Sequence, residues 1–115
     1  MTQENKELLL KDLCARLPYE VKVFILNKGN IETDIVLSLS NVHYIQMLNL
    51  GYIKDCKPYL FPMSSMTEEQ KNIYSKLPYH STEWQFVDWL NKNHFDYRGL
   101  IEKGLALDAT NKNIY

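Results

Sequence analysis

The chain has 115 residues, of which 45% are apolar and 23% charged, and its 13 lysines and arginines nearly balance its 14 aspartates and glutamates. This length and composition predict one globular domain (1–115) with its own core, and they argue against a disordered chain. The two signs also balance within each part of the sequence, so neither a basic nor an acidic tail exists. Such a balance weighs against nucleic-acid binding, which depends on clustered lysines and arginines.

The first residues, MTQENKELLL, lack the apolar stretch of a secretory signal. No segment holds the roughly 18–20 apolar residues that span a bilayer. We therefore expect no signal peptide, no membrane contact and a cytoplasmic location. The two cysteines, Cys14 and Cys56, are then expected to be free thiols, with a disulfide between them as the alternative.

The first predicted element is a helix over residues 2–17, which Pro18 ends. Its apolar residues recur with helical spacing and form one stripe, made of Leu10, Leu13, Cys14 and Leu17. We expect Cys14 to be a small buried residue of this stripe, and Asp12 to lie on the opposite, solvated side.

Three strands are predicted next, over residues 19–27, 31–40 and 42–50. In the second segment apolar and polar residues alternate regularly. In the third the alternation is irregular, so a helix over residues 42–50 is the alternative. In the first strand Phe24 and Leu26 make the far end apolar on both faces, so we expect that end to be covered.

A short fourth strand is predicted at an edge, over residues 52–53 or 59–61. Pro58 and Pro62 fit an edge or an exit from the sheet, because proline lacks the N–H that a central strand donates.

Two helices follow. Ser65 or Thr67 can cap the first helix, Thr67-x-x-Gln70 is a capping-box pattern, and the helix is expected to end before Pro78. The second runs from Glu83 to about residue 94, with Ser81 or Thr82 as its cap.

Beyond these helices, Asp96 is expected to cap a short helical turn that reaches Ile101 or Lys103 and stops at Gly104. Residues 110–115 are expected to be a frayed tail. The order of elements predicts an α+β fold. It has an N-terminal helix, a small antiparallel sheet of three to four strands with an SH3-like curl as a refinement, and C-terminal helices. The predicted core is Leu10, Leu13, Leu17, Val21, Val23, Ile35, Leu37, Phe86, Leu90 and Leu105.

The residues that could carry chemistry are scattered. The histidines, at 43, 80 and 94, fall on separate elements, and a metal site from Cys56, His80 and His94 is the weaker alternative to none. We expect no metal, no cofactor and no catalytic residue.

A hydrolase would need a base, a carboxylate and a nucleophile, for which His94, Asp96 and one of Ser64, Ser65 or Cys56 are the candidates. We instead expect Asp96 to be a helix cap and His94 to be a helix-end histidine whose charge the helix dipole favours.

Partner binding is the functional class that the sequence favours. Trp84 and Phe95 fall outside the apolar arc of the last helix, and Tyr97 lies two residues after Phe95. Tyrosine and tryptophan are frequent interface anchors. We therefore predict that Trp84, Phe95 and Tyr97 bind a protein partner, unless the N-terminal helix covers them.

Three stretches, at residues 11–23, 57–70 and 87–109, resemble a family of short uncharacterised proteins encoded by gut Bacteroides-type bacteria, their phages and mobile elements. The resemblance covers 50 of the 115 residues and implies a cytosolic prokaryotic or phage protein. It supplies no catalytic residue. Together with the charge balance, it leads us to expect a non-enzymatic protein-interaction or regulatory protein of a phage or mobile element. The alternatives are a nucleic-acid-binding accessory protein and a small hydrolase or ligand-binding protein.

Overall fold

The computed structural model describes residues 2–80 and 82–115, with residues 79 and 80 described by their backbone alone. Four helices and five strands follow one another in the order α1 (Gln3–Arg16), β1 (Val21–Asn27), β2 (Glu32–Leu37), α2 (His43–Asn49), β3 (Ile53–Pro62), α3 (Glu68–His80), α4 (Glu83–Lys92), β4 (Phe95–Asp96) and β5 (Leu107–Asp108). Single 3-10 turns lie at Leu17–Tyr19, Leu39–Asn41 and Met63–Ser65.

The strands form one mixed sheet in the order β2-β1-β3-β4, with β5 also paired to β3. The three long strands are antiparallel, and the two-residue strands β4 and β5 run parallel to the end of β3. The α+β class and the terminal helices are confirmed. The sheet differs from the prediction because it is mixed, and among the described strands its order leaves β2 as an open edge instead of closing an SH3-like barrel.

The buried side of α1 is rotated from the predicted stripe. Leu9 and Leu13 are fully buried, and so are the charged residues Asp12 and Arg16, whereas Cys14 is exposed. The prediction for Cys14 and for Asp12 was therefore wrong. Two charged residues could enter this side because they form a salt bridge with each other, as described below.

Residues 43–49 form the helix α2 and not a third strand. Its Leu48 is buried in the main core, with Tyr44 and Ile45 packed beside it at the spacing of one helical face. The third strand is β3, a ten-residue strand that joins both segments proposed for the short edge strand.

Pro58 fits β3 because it lies opposite Val23, at a position that offers no hydrogen bond to β1. On the other side of β3, pairing begins only at Tyr59. The prediction of an edge or an exit was therefore wrong for Pro58, because β3 is an inner strand of the sheet. The proline is accommodated because none of the described strands needs a hydrogen bond from its nitrogen at this position.

The predicted capping box at Thr67 is present, and Thr82, one of the two predicted caps of the next helix, also forms a capping box. The Thr67 hydroxyl accepts from the Gln70 N–H at 3.1 Å, and Thr82 has the same relation to Gln85. Ser81, the alternative cap, lies outside the described residues. Helix α3 continues to residue 80 with Pro78 in its last turn, so its predicted end before Pro78 was wrong.

The side chains pack in two clusters. The main cluster joins α1 and α2 to one face of the sheet, and the second joins α3 and α4 to the end of β3 around Leu90 and Phe95. All ten predicted core residues are at least partly buried, and seven of them belong to the buried core. No helix in the described part of the chain is long and apolar enough to cross a membrane.

Candidate functional site

One face of the sheet packs against α1 and α2, and the other face remains largely open. On β1 the buried Val21, Val23 and Ile25 alternate with partly exposed residues, and the pairing register places their neighbours on the same side. We call this side the open face, and it comprises Lys22, Phe24, Leu26, Glu32, Asp34, Val36, Asp55, Lys57 and Tyr59. Phe24 and Leu26 were expected to be covered, yet both are partly exposed.

A shallow depression of about 420 Å³ lies on the open face and is lined by Phe24, Glu32, Thr33, Asp34 and Tyr59. The Tyr59 hydroxyl donates to Asp34 at 2.9 Å. Burial, and then this hydrogen bond, raise the pKa of Tyr59, so the phenol stays protonated. The depression therefore offers two aromatic rings and two carboxylates to the solvent.

A second, smaller cavity of about 130 Å³ continues the open face at the beginning of β1, and we call it the His94 pocket. His94, Tyr115 and Glu20 line it, together with Tyr19, Val21, Lys22 and Val36. Glu20 has φ 62° and ψ 147°, a combination that residues with a side chain rarely adopt, and His94 has φ 63°. Strained backbone of this kind is typical of functional sites.

Tyr115 closes one side of the His94 pocket. Because Val23 lies opposite Pro58, the next rung of the ladder would join the Lys22 N–H to the Tyr59 carbonyl. The Tyr115 hydroxyl lies in that rung, where it accepts from Lys22 N at 2.8 Å and donates to Tyr59 O at 2.8 Å. Its ring stacks on His94 with centroids 3.6 Å apart. The prediction of a frayed tail over residues 110–115 was therefore wrong at Tyr115.

A buried cluster of charged side chains lies beside the His94 pocket. The Asp12 carboxylate accepts from Arg16 Nε at 2.8 Å and from Arg98 Nη1 at 2.8 Å. Arg16 also donates to the Phe95 carbonyl at 2.7 Å, which fixes the residue next to His94. Both guanidinium groups lie over the Tyr97 ring, at 5.5 and 4.5 Å from its centroid.

The electrostatics of the pocket keep His94 neutral. Burial, and then the nearby Arg16 guanidinium, lower the pKa of His94 from 6.5 to about 4. The prediction that the helix dipole would favour its charged form was wrong, because these two effects are larger. No described residue bonds to the buried His94 Nδ1 or Arg16 Nη1. Burial raises the pKa of Tyr115, so its hydroxyl remains a donor.

The three predicted partner-binding residues do not share one exposed surface. Phe95 is 1% exposed and belongs to the second cluster, so its ring is not available to a partner. Tyr97 is half-buried under the two arginines, and its hydroxyl donates to Asn91. Trp84 is 65% exposed.

Of the residues considered for hydrolysis, Ser64 and Asp96 line one pocket, whereas His94 lines another. Asp96 accepts from the backbone N–H groups of Leu100 and Ile101, both at 2.9 Å, so the prediction of a cap is confirmed, although the segment it caps is a series of turns. The Ser65 hydroxyl donates to the Pro62 carbonyl. Burial, and then Asp55, raise the pKa of the Cys56 thiol to about 12, which makes it a poor nucleophile.

Of the residues considered for a metal site, Cys56 lies in the main core, and the His80 side chain lies outside the described residues. Within the described part of the chain, no group of three or more His, Cys, Asp and Glu side chains could hold a metal ion.

The sequence reasoning missed the open face and the role of Tyr115. The alternation in residues 21–26 was the available signal for the open face, since it places Lys22, Phe24 and Leu26 on one side. Tyr115 contacts Lys22 and Tyr59, which lie 93 and 56 residues away along the chain, and no local sequence pattern indicates these contacts.

In comparisons with known proteins, the chain matches no family model, and neither a curated protein nor a solved structure is significantly similar to it.

Proposed function

We propose that the protein acts by binding another protein through the open face of its sheet. The observation that carries this proposal is the partly exposed set of apolar and aromatic side chains on that face, which α1 and α2 leave uncovered. Phe24 and Tyr59 line the depression, and Val36 beside it is 42% exposed. Apolar and aromatic groups that remain accessible on a small domain are typical of binding surfaces.

The charges of the open face indicate the chemistry of the partner. Glu32 and Asp34, on β2, line the depression. The two lysines of the open face lie on the neighbouring strands, Lys22 on β1 and Lys57 on β3. A basic side chain next to an apolar or aromatic one would match this pattern. The proposed partner is therefore a protein segment with an apolar or aromatic anchor and a neighbouring lysine or arginine.

The same charges favour a protein over a nucleic acid. Three carboxylates and two lysines share the open face, so phosphates would meet net repulsion there. A nucleic-acid complex would show binding that weakens steeply with salt, and this outcome would favour the rival class.

The experiment uses two valines of equal exposure. Val36 lies on the open face and Val42 lies at the start of α2, and each is 42% exposed. Partners are collected by photo-crosslinking in cells, purified, and titrated against the wild-type protein and the variants Val36→Glu and Val42→Glu. We expect Val36→Glu to weaken binding by about 30-fold, or ~2 kcal/mol, as loss of an interface anchor does.

Val42→Glu should leave the affinity within about threefold, as a surface substitution outside an interface does. Crosslinking alone does not support the proposal. A purified partner whose affinity falls equally for both variants, or for neither, contradicts binding through the open face.

The setting that we propose is the cytoplasm of a bacterium, with the protein acting as a regulatory factor of a phage or mobile element, as the resemblance implies. Two free cysteines support a reducing compartment. Trp84 remains a proposed second anchor because its ring is accessible. Trp84→Ala tests it in the same titration.

A further inference from the structure

The rung between Lys22 and Tyr59 is a site built for a phenol. Its Lys22 N–H and Tyr59 carbonyl are one donor and one acceptor, each 2.8 Å from the Tyr115 hydroxyl. A phenolic hydroxyl can accept one hydrogen bond and donate another at the same time. The Tyr115 hydroxyl therefore bridges the two strands at this rung, so the sheet itself supplies the polar end of the site.

The aromatic part of the site is equally specific. The His94 ring lies parallel to the Tyr115 ring within 13° and 3.6 Å from it, and Phe61 lies 5.8 Å away on another side. Lys22 Nζ approaches the same ring at 5.9 Å. A flat ring with a hydroxyl in the para position satisfies all of these contacts, and shorter hydroxyl side chains lack the ring.

The segment that supplies this tyrosine is held mainly at its end. Thr110 to Asn113 are exposed, and the hydrogen bonds at its beginning are local, from Thr110 N to Asp108 and from Lys112 N to the Ala109 carbonyl. Tyr115 makes the long-range hydrogen bonds of this segment and is still 44% exposed. Departure of this segment would therefore break the two hydrogen bonds of that one rung, which a second phenol could restore.

Resting on the proposed function, we infer that the Lys22–Tyr59 rung and the His94 ring form a tyrosine-binding site, which Tyr115 occupies within the chain and a tyrosine of the partner protein takes over. The tail then acts as a competitor built into the fold. It lowers the apparent affinity of every ligand that needs the site, and it covers the His94 pocket until the tyrosine of a partner displaces it.

The site should reject close relatives of tyrosine. Phenylalanine would fill the aromatic space but leave the Lys22 N–H and the Tyr59 carbonyl unpaired. Phosphotyrosine would bring a charged group that cannot donate to the carbonyl at neutral pH, where it is largely deprotonated. Phosphorylation of the competing tyrosine would therefore release it.

The experiment uses the full chain and a blocked peptide with the sequence of residues 110–115, TNKNIY, together with its phenylalanine and phosphotyrosine forms. Binding is followed by NMR at the Lys22 amide and the His94 ring. We expect the Tyr115→Ala variant to bind the tyrosine peptide at least about tenfold more tightly than either analogue, because two hydrogen bonds are at stake. Wild-type protein should bind it at least about tenfold more weakly than the variant, because its own tail competes.

Tyr115→Phe is the second variant and decides the matter if Tyr115→Ala does not fold. It keeps the stacking and loses both hydrogen bonds, so the tyrosine peptide should bind it more tightly than wild type. Equal binding to wild type and variants, equal binding of the phenylalanine peptide, or no saturable shift at Lys22 overturns the inference. So does a wild-type dimer that Tyr115→Phe dissociates, because a second copy would then fill the site.

These outcomes are separate from those of the proposed function. A purified partner that depends on Val36 but binds unchanged after all its tyrosines become phenylalanine would overturn the tyrosine site and leave the open face intact. If no partner distinguishes Val36→Glu from Val42→Glu, the peptide titrations still decide whether the site exists.

Discussion

The buried cluster of charged side chains gives the sharpest stability prediction. Asp12 is the common acceptor for Arg16 and Arg98, with side chains that are 0%, 0% and 16% exposed. Asp12→Asn keeps the shape of the side chain and removes its charge. Arg16 then remains buried without a counter-ion, and we expect a loss of about 3–5 kcal/mol of unfolding free energy. A domain of this size has about 5–15 kcal/mol in all, so the variant should be close to unfolding.

A double variant distinguishes the free-energy cost of a buried charge without a counter-ion from the net contribution of the ion pair to stability. Asp12→Leu with Arg16→Met removes both charges at similar volume, and such replacements are often neutral or stabilising. The Phe95 carbonyl loses its charged donor, which should cost about 1.5–3 kcal/mol. The double variant should therefore be more stable than Asp12→Asn.

Urea denaturation followed by circular dichroism measures both variants, with the exposed pair Glu68–Lys71 as the control. Glu68→Gln should cost less than about 1 kcal/mol, because an exposed pair is screened by solvent. The reasoning is refuted if Asp12→Asn costs no more than Glu68→Gln, or if the double variant is the less stable of the two.

Three further predictions concern the neighbouring groups. Because the pKa of His94 is lowered to about 4 in the folded state, the unfolded chain binds more protons between pH 4 and 6.5, so stability should fall as the pH falls through this window. The full difference corresponds to about 3 kcal/mol, and solvent screening at this half-buried ring reduces it to about 1–2 kcal/mol. His94→Gln should flatten that part of the pH–stability curve, and an unchanged curve speaks against the assignment. Asp96→Ala should cost about 0.5–2 kcal/mol in thermal denaturation, and more than Asp108→Ala, whose cap is exposed. Equal losses would remove the special role of Asp96. Alkylation of the native protein followed by mass spectrometry should modify the exposed Cys14 and spare Cys56, whose pKa is raised to about 12. Two modifications without denaturant would contradict the buried state of that thiol.

The parts of the fold that follow from local patterns were predictable. Capping boxes at Thr67 and Thr82 fix where two helices begin, and the alternation in residues 31–37 fixes β2. Residues 42–50 were ambiguous, because a short apolar run fits a strand and a helix equally well. The helix is favoured by the tertiary packing of Leu48 against the core.

The candidate site depends on contacts between remote residues, and for this reason it was not predictable. Asp12 was assigned to the solvated side because a charged residue is normally exposed, and its partner Arg98 lies 86 residues away. Phe95 was predicted to bind a partner because it lies outside the apolar arc of α4. In the structure it belongs to the separate strand β4, and its side chain is buried. Asp96 was predictable, since its cap is a local interaction.

The proline in the middle of β3 has a consequence for how the chain finds its alignment. Lys22 directs its N–H towards β3, so alternate residues of β1 do the same and Val23 opposite Pro58 does not. A slip of one residue would turn the proline nitrogen towards β1, remove a hydrogen bond from the ladder and expose the side chains of Cys56 and Leu60. Pro58 thus disfavours a shifted pairing of β1 with β3, because the shifted pair of strands loses both a hydrogen bond and buried apolar surface.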